Sequence, residues 1–182
     1  MSGVIRVLYP PLIGGRAAVG LLALRVVAGL ALFSHGVQKM ANGPFSWMGA
    51  DSWAPPFLQF LAAFSECFGG LALVIGLLTP LASLGIAATM AVATFVVHVA
   101  GGDPFVRLRG DDEAMPIVGL PMAFVRVGGS GGSYELAAMF LATAILLFLA
   151  GPGRLSLDAM LFGRRLDRRA DRVEATAEGV RS

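Results

Sequence analysis

Charge, cysteine and histidine are all scarce in this chain. Aspartate, glutamate, lysine and arginine make up 14% of its 182 residues, against 56% hydrophobic residues and a mean hydropathy of +0.75. That balance excludes an ordinary soluble domain, where about a quarter of residues are charged. The single cysteine, Cys67, excludes an intramolecular disulfide, and no CxxC pair is present for thiol exchange or a metal. In the middle of an apolar stretch it reads as an inert packing residue. Two histidines are too few to hold haem or a metal centre without carboxylate help, so no metal site is expected. No dinucleotide fingerprint, HExxH or GxSxG is found. GGSGGS at 128–133 lacks the lysine and preceding buried strand of a phosphate loop, and reads as a flexible connection. The pI near 9.2 comes from C-terminal arginines, which gives no reason to expect nucleic acid as a partner.

Long apolar runs are what the chain has instead. A bilayer-spanning helix needs about 20 apolar residues, and four segments meet that length, near 17–40, 57–79, 81–100 and 134–151. The expected fold is therefore an all-α integral membrane protein. It is a four-transmembrane-helix bundle over 1–154, with a basic tail over 155–182. The first span reads as a retained helix and not a cleaved signal peptide. Its apolar run is long, and SHGVQKMANG follows it in place of a small-x-small site.

Arg6 and Arg16 precede the first span, and seven arginines from Arg154 to Arg181 follow the fourth. By the positive-inside rule both termini face the cytoplasm, and the loops at 41–56 and 101–133 face outward. The first loop offers Phe45, Trp47, Trp53 and Phe57 as an aromatic belt. The second is long enough to need a reason, and Met122 to Val127 within it has strand-like composition. Residues 155–173 set Leu157, Met160, Leu161 and Leu166 among arginines. They read either as a short amphipathic helix resting on anionic lipid or as a solvated charged tail.

Six ionisable residues lie within or at the ends of these spans: Arg25, His35, Lys39, Glu66, His98 and Glu135. A charge at the bilayer centre costs on the order of 2.5–3.5 kcal/mol on insertion scales, so such residues face one another or line a wet cavity. On a helical wheel Arg25, Gly29, Leu32, His35, Gly36 and Lys39 share a sector of about 120°, an interior face. Glu66, Gly70, Leu73 and Leu77 form a matching stripe. Counting residues from the span ends sets Arg25 and Glu66 near mid-membrane, candidates for one ion pair. That pair would be either a substrate or proton site or a structural pair fixing register. His35, Lys39, His98 and Glu135 fall at a second, outer level and suggest a polar pocket open to the outside. There the histidines would pass protons, and Lys39 would hold an anion or a reduced oxygen headgroup. Glu135 also opens a helix, where capping alone explains a carboxylate.

At these residues the chain resembles the DoxX family. LRVVAGLALFSHGVQKM, SECFGGLALVIGLLTPLAS and GPGRLSLDAML are similar to that family's patterns in the first span, the second span and the close of the fourth. The resemblance implies a four-helix protein of the bacterial cytoplasmic membrane, akin to the membrane subunit of thiosulfate:quinone oxidoreductase and to small membrane partners of redox proteins. Arg25, His35, Lys39 and Glu66 match motif positions. The reading that follows is a quinone-linked redox subunit. His35, His98 and Glu66 would serve chemistry, Arg25, Lys39 and Glu135 binding, and quinone would be the co-substrate. A peripheral or extracytoplasmic redox protein would supply electrons, and a homo-oligomer is open. Two other readings stay open: a carrier of a small solute or anion, and a scaffold that docks a redox partner. Kinship of fold does not choose among them.

Overall fold

The computed structural model describes residues 10–49, 51–108, 115–116, 125–127 and 132–162. Four helices carry it. α1 runs Gly15–Ala41, α2 Pro56–Ile75, α3 Thr79–Val99 and α4 Glu135–Ala150. The first three are long and apolar enough to cross a membrane. The sixteen residues of α4 rise about 24 Å, somewhat short of a hydrocarbon core. Both α2 and α3 contain π-helical turns, Ser65–Gly69 in α2 and Val92–Val99 at the close of α3. Wide turns of this kind concentrate at functional sites.

The chain divides into two compact units, one of residues 1–86 with 143–182 and one of residues 87–142. The first is inside out by the standard of soluble proteins. Val27, Phe57, Leu81 and Leu149 are more than half exposed, while Arg25, Glu66, Thr79, Ser83 and Asp158 are buried. Apolar side chains that face outward are what a lipid solvent selects, with the polar groups turned in on each other.

Backbone contact sets the register of α1 on α2. A methyl group at Gly36 would collide with the backbone of Cys67, and one at Gly70 would lie 2.6 Å from the Phe33 nitrogen. Gly76 abuts the Arg25 guanidinium. The two helices therefore run antiparallel with Gly36 beside Cys67, Phe33 beside Gly70, and Arg25 beside Gly76. Small residues permit this approach, and dispersion across it holds the helices together where no hydrophobic effect operates. Between the polar levels, Leu32, Leu73, Ile86 and Leu147 fill the interior. Leu32 is seven residues from both Arg25 and Lys39, about 10 Å from each along the axis.

At the end of this unit where α1 begins, residues 151–158 tie the helices together. α2 stops at Gly76, which takes the left-handed conformation (φ 69°), and Leu78 is also left-handed (φ 49°). The chain then re-enters helix at Thr79, whose end the Asp158 carboxylate caps. It accepts the amides of Leu78 at 2.7 Å and Thr79 at 2.8 Å. A buried anion there also suits the helix dipole. The Asp158 amide donates to Gly76 O at 2.8 Å, and the Arg154 amide donates to Ile13 O at 2.9 Å. Ser156 caps the short helix at 157–162, its hydroxyl accepting the Ala159 amide. The amphipathic-helix reading of the tail is described only through residue 162, where Met160 and Leu161 are exposed.

The second unit contains a small sheet, β1 (Val106–Leu108), β2 (Met115–Pro116) and β3 (Val125–Val127), in the order β1-β3-β2. β3 pairs parallel with β1 and antiparallel with β2. The strand expected within Met122–Val127 is present over its last three residues, and 122–124 lie outside the described residues. The sheet hangs from a neck in which the Tyr134 and Glu135 amides donate to Pro104 O and Phe105 O. Phe105 and Tyr134 pack ring to ring at 5.2 Å.

Candidate functional site

Lys39 and Glu66 meet. Lys39 Nζ donates to Glu66 Oε1 at 2.5 Å, joining the last turn of α1 to the π-helical turn of α2. Glu66 is 2% exposed and its Oε2 has no hydrogen-bond partner among the described residues. Lys39 is partly open, and the Trp47 ring covers its ammonium at 4.3 Å from the centroid. A cation between a carboxylate and an aromatic face is stabilised from both sides. Glu66 and Cys67, consecutive in the π-helical turn, are both buried.

Gln59 positions the aromatic cover. This amide is 3% exposed, one turn into α2, and uses both ends of its side chain. Its Nε2 donates to Ala54 O at 2.9 Å, its Oε1 accepts the Met48 amide at 3.1 Å, and its carbonyl accepts Trp47 Nε1 at 2.9 Å. The segment joining α1 to α2 is thereby folded back over Lys39. The expected aromatic belt is thus split, with Trp53 and Phe57 exposed and Trp47 committed to the polar site. Sequence reasoning missed Gln59, although a lone amide within PFLQFLAAF carries the same signal as a lone charge in a span.

Arg25 does not pair with Glu66. It is fully buried, donates from Nη2 to Leu155 O, and lies in the field of Asp158. The expectation failed because it aligned the two spans by their estimated ends. α1 is 27 residues long and α2 only 20. The glycine contacts place Arg25 beside the end of α2 and Glu66 near Gly36. Arg25 and Lys39 are fourteen residues apart on α1, about 21 Å along the axis, so one glutamate cannot serve both. Arg25 thus contacts the 151–158 segment, while its Nε and Nη1 have no hydrogen-bond partner among the described residues. Its counter-charge, Asp158, stands in the family-like ending GPGRLSLD but was given no role.

His35 is exposed on α1 and makes no hydrogen bond to a described residue. His98 and Glu135 belong to the second unit. Glu135 is exposed in the first turn of α4, the capping position. His98 closes the π-helical end of α3 and binds Asp103, Nδ1 to Oδ2 at 2.8 Å. Asp103 Oδ1 accepts the Gly132 amide at 3.1 Å and lies 3.6 Å from Arg107 Nη2. The His98 hydrogen bond, with help from Gly132 and Arg107, holds the Asp103 carboxyl below its usual range against a smaller opposing effect of burial. Asp103 has no role in the sequence reading. The turn after α3 brings it back onto His98, with the Asp103 amide donating to His98 O at 3.0 Å. Among the described residues no group of three or more His, Cys, Asp or Glu side chains is placed to hold a metal ion.

Apolar helices turned outward around buried charges define a helical membrane protein. The DoxX family model matches residues 20–99, which span α1, α2 and α3 and include the Lys39–Glu66 pair. Over those residues the chain is similar to the DoxX family. It is 27% identical over 146 residues to a Bacillus subtilis protein named "Putative oxidoreductase CatD", covering 79% of this chain and 88% of that one. It is 29% identical over 109 residues to an uncharacterized Haemophilus influenzae protein, covering 59% and 81% of the two chains. No solved structure matches.

Proposed function

We propose that this DoxX-like protein is the membrane subunit of a quinone-linked redox system and that Lys39 and Glu66 hold the quinone headgroup. The observation that carries the reading is the buried pair with one carboxylate oxygen unused. An ammonium can donate to a quinone carbonyl, and a carboxylate can accept from a quinol hydroxyl. Reduction of a quinone takes up two electrons and two protons. The electrons would come from a redox protein docked on this subunit. The name of the Bacillus subtilis relative agrees with oxidoreductase chemistry.

The same proposal sets the protein in a bacterial cytoplasmic membrane with four crossings and both termini inside. Its support is the meeting of Ile13, before α1, with Arg154, after α4. Chain ends on one side require an even number of crossings.

The test is thermal unfolding of the full chain in detergent with a short-chain ubiquinone or menaquinone analogue. A ligand that binds only the folded state raises the midpoint with concentration, by RT ln(1 + [L]/Kd) in free energy. The rise is expected for the native chain and lost in Lys39→Met and Glu66→Gln. No rise at millimolar analogue, or equal rises in both variants, would sink the reading.

A further inference from the structure

We propose that Asp103 is a positioning residue that fixes the tautomer of His98 and so makes its Nε2 a proton acceptor at the loop-bearing end of α3. An ionised carboxylate can only accept, so the 2.8 Å contact requires the proton of neutral His98 to sit on Nδ1. Nε2 then carries the lone pair. It makes no hydrogen bond to a described residue, and the side chain is 27% exposed, within reach of water or of a ligand hydroxyl. The carboxylate is itself held from behind by the Gly132 amide and the Arg107 guanidinium. Arg107 in turn donates from Nε to Gly132 O at 3.0 Å. Asp103 and Arg107 are the charged groups of this cluster. A carboxylate anchored from behind and hydrogen-bonded in front to an imidazole is the arrangement by which a histidine is oriented as a base. The inference deepens the quinone reading, on which it rests for its purpose, because quinone chemistry takes up or releases two protons per turnover and needs groups to exchange them.

The anchoring gives a sharp expectation for Asp103→Asn. The Gly132 amide and Arg107 both favour oxygen at the Oδ1 position, so the new amide keeps its oxygen there. Its NH2 then faces His98 and donates to Nδ1. That contact forces the imidazole proton onto Nε2 and removes the base.

The experiment is nitrogen NMR of the full chain labelled at histidine, in lipid nanodiscs above the histidine titration range. His35 and His98 are the two imidazoles, and the His98→Gln spectrum assigns them. The native chain is expected to show His98 chiefly as the Nδ1–H form, and Asp103→Asn chiefly as the Nε2–H form. A native spectrum dominated by Nε2–H, or a tautomer unchanged by Asp103→Asn, overturns the proposal. If Asp103→Asn does not fold, the native tautomer alone decides. This measurement needs no quinone. A native Nδ1–H form with no quinone-dependent thermal shift leaves Asp103 in its role and removes only the quinone reading.

Discussion

Removing the ammonium of Lys39 leaves a carboxylate that is 2% exposed with nothing to balance it, and removing the carboxylate strands a cation under Trp47. Breaking a buried pair from one side costs about 3–5 kcal/mol. Lys39 is partly open, which lowers the expectation to roughly 2–4 kcal/mol. Lys39→Met and Glu66→Gln should each destabilise by that amount, and the double variant by clearly less than the sum, because it removes both charges together. Equilibrium unfolding in mixed micelles across the four proteins measures the coupling. Additive losses would mean the 2.5 Å contact does not hold in the membrane. Both residues were legible as candidates, because a charge in a span is conspicuous. Their pairing was not. It depends on the backbone contacts of Gly36 and Gly70, and glycines signal close approach without naming the partner.

Those contacts are a property of the helices. At Gly36 the obstacle to a side chain is the Cys67 backbone, so trimming the cysteine creates no room. Gly36→Val should therefore disrupt the α1–α2 pair by several kcal/mol, and Cys67→Ala should fail to rescue it. Thermal unfolding of the single and double variants checks this, and rescue would show that the register is wrong. At the other end, Asp158→Ala withdraws the cap from the Leu78 and Thr79 amides and the counter-charge from Arg25. Loss of a helix cap costs about 1–2 kcal/mol, and the stranded guanidinium adds to it, so Asp158→Ala should fall well below Asp158→Asn, which keeps one acceptor.

The neck of the second unit has a pH dependence with a definite sign. The Asp103 carboxyl is depressed, so its contribution is complete above the ordinary aspartate value of about 3.9 and is lost as pH falls through the lower folded value. Hydrogen exchange at Tyr134 and Glu135, whose amides close the neck, should stay protected from neutrality to about pH 4. Asp103→Ala, which removes the His98 and Gly132 contacts, should lose protection already at neutral pH. Protection that fades between pH 7 and 5 would point to another group. None of this was readable from sequence, since the partner of Asp103 depends on the turn that folds it back onto the end of α3, which apolar composition does not reveal.

For the whole molecule, composition settled the solvent before any motif was considered, and the helix positions followed within a few residues. The number of crossings is the harder question, because α4 has only sixteen residues. If α4 lay along the surface, three crossings would put the two ends of the chain on opposite faces. The Arg154 amide bonded to Ile13 O, and the packing of Gly151 on Pro10 and of Gly153 on Leu21, are the contacts that support the proposed even number. An apolar stretch shorter than the hydrocarbon core is accommodated by local thinning at modest cost. Reporter fusions separate the two arrangements. Green fluorescent protein joined after residue 162 should fluoresce, and alkaline phosphatase at the same point should be inactive. Phosphatase inserted between β1 and β2 should be active. An active phosphatase after residue 162 would leave α4 on the surface and place the basic tail outside. It would also break the Ile13–Arg154 contact on which the even count rests.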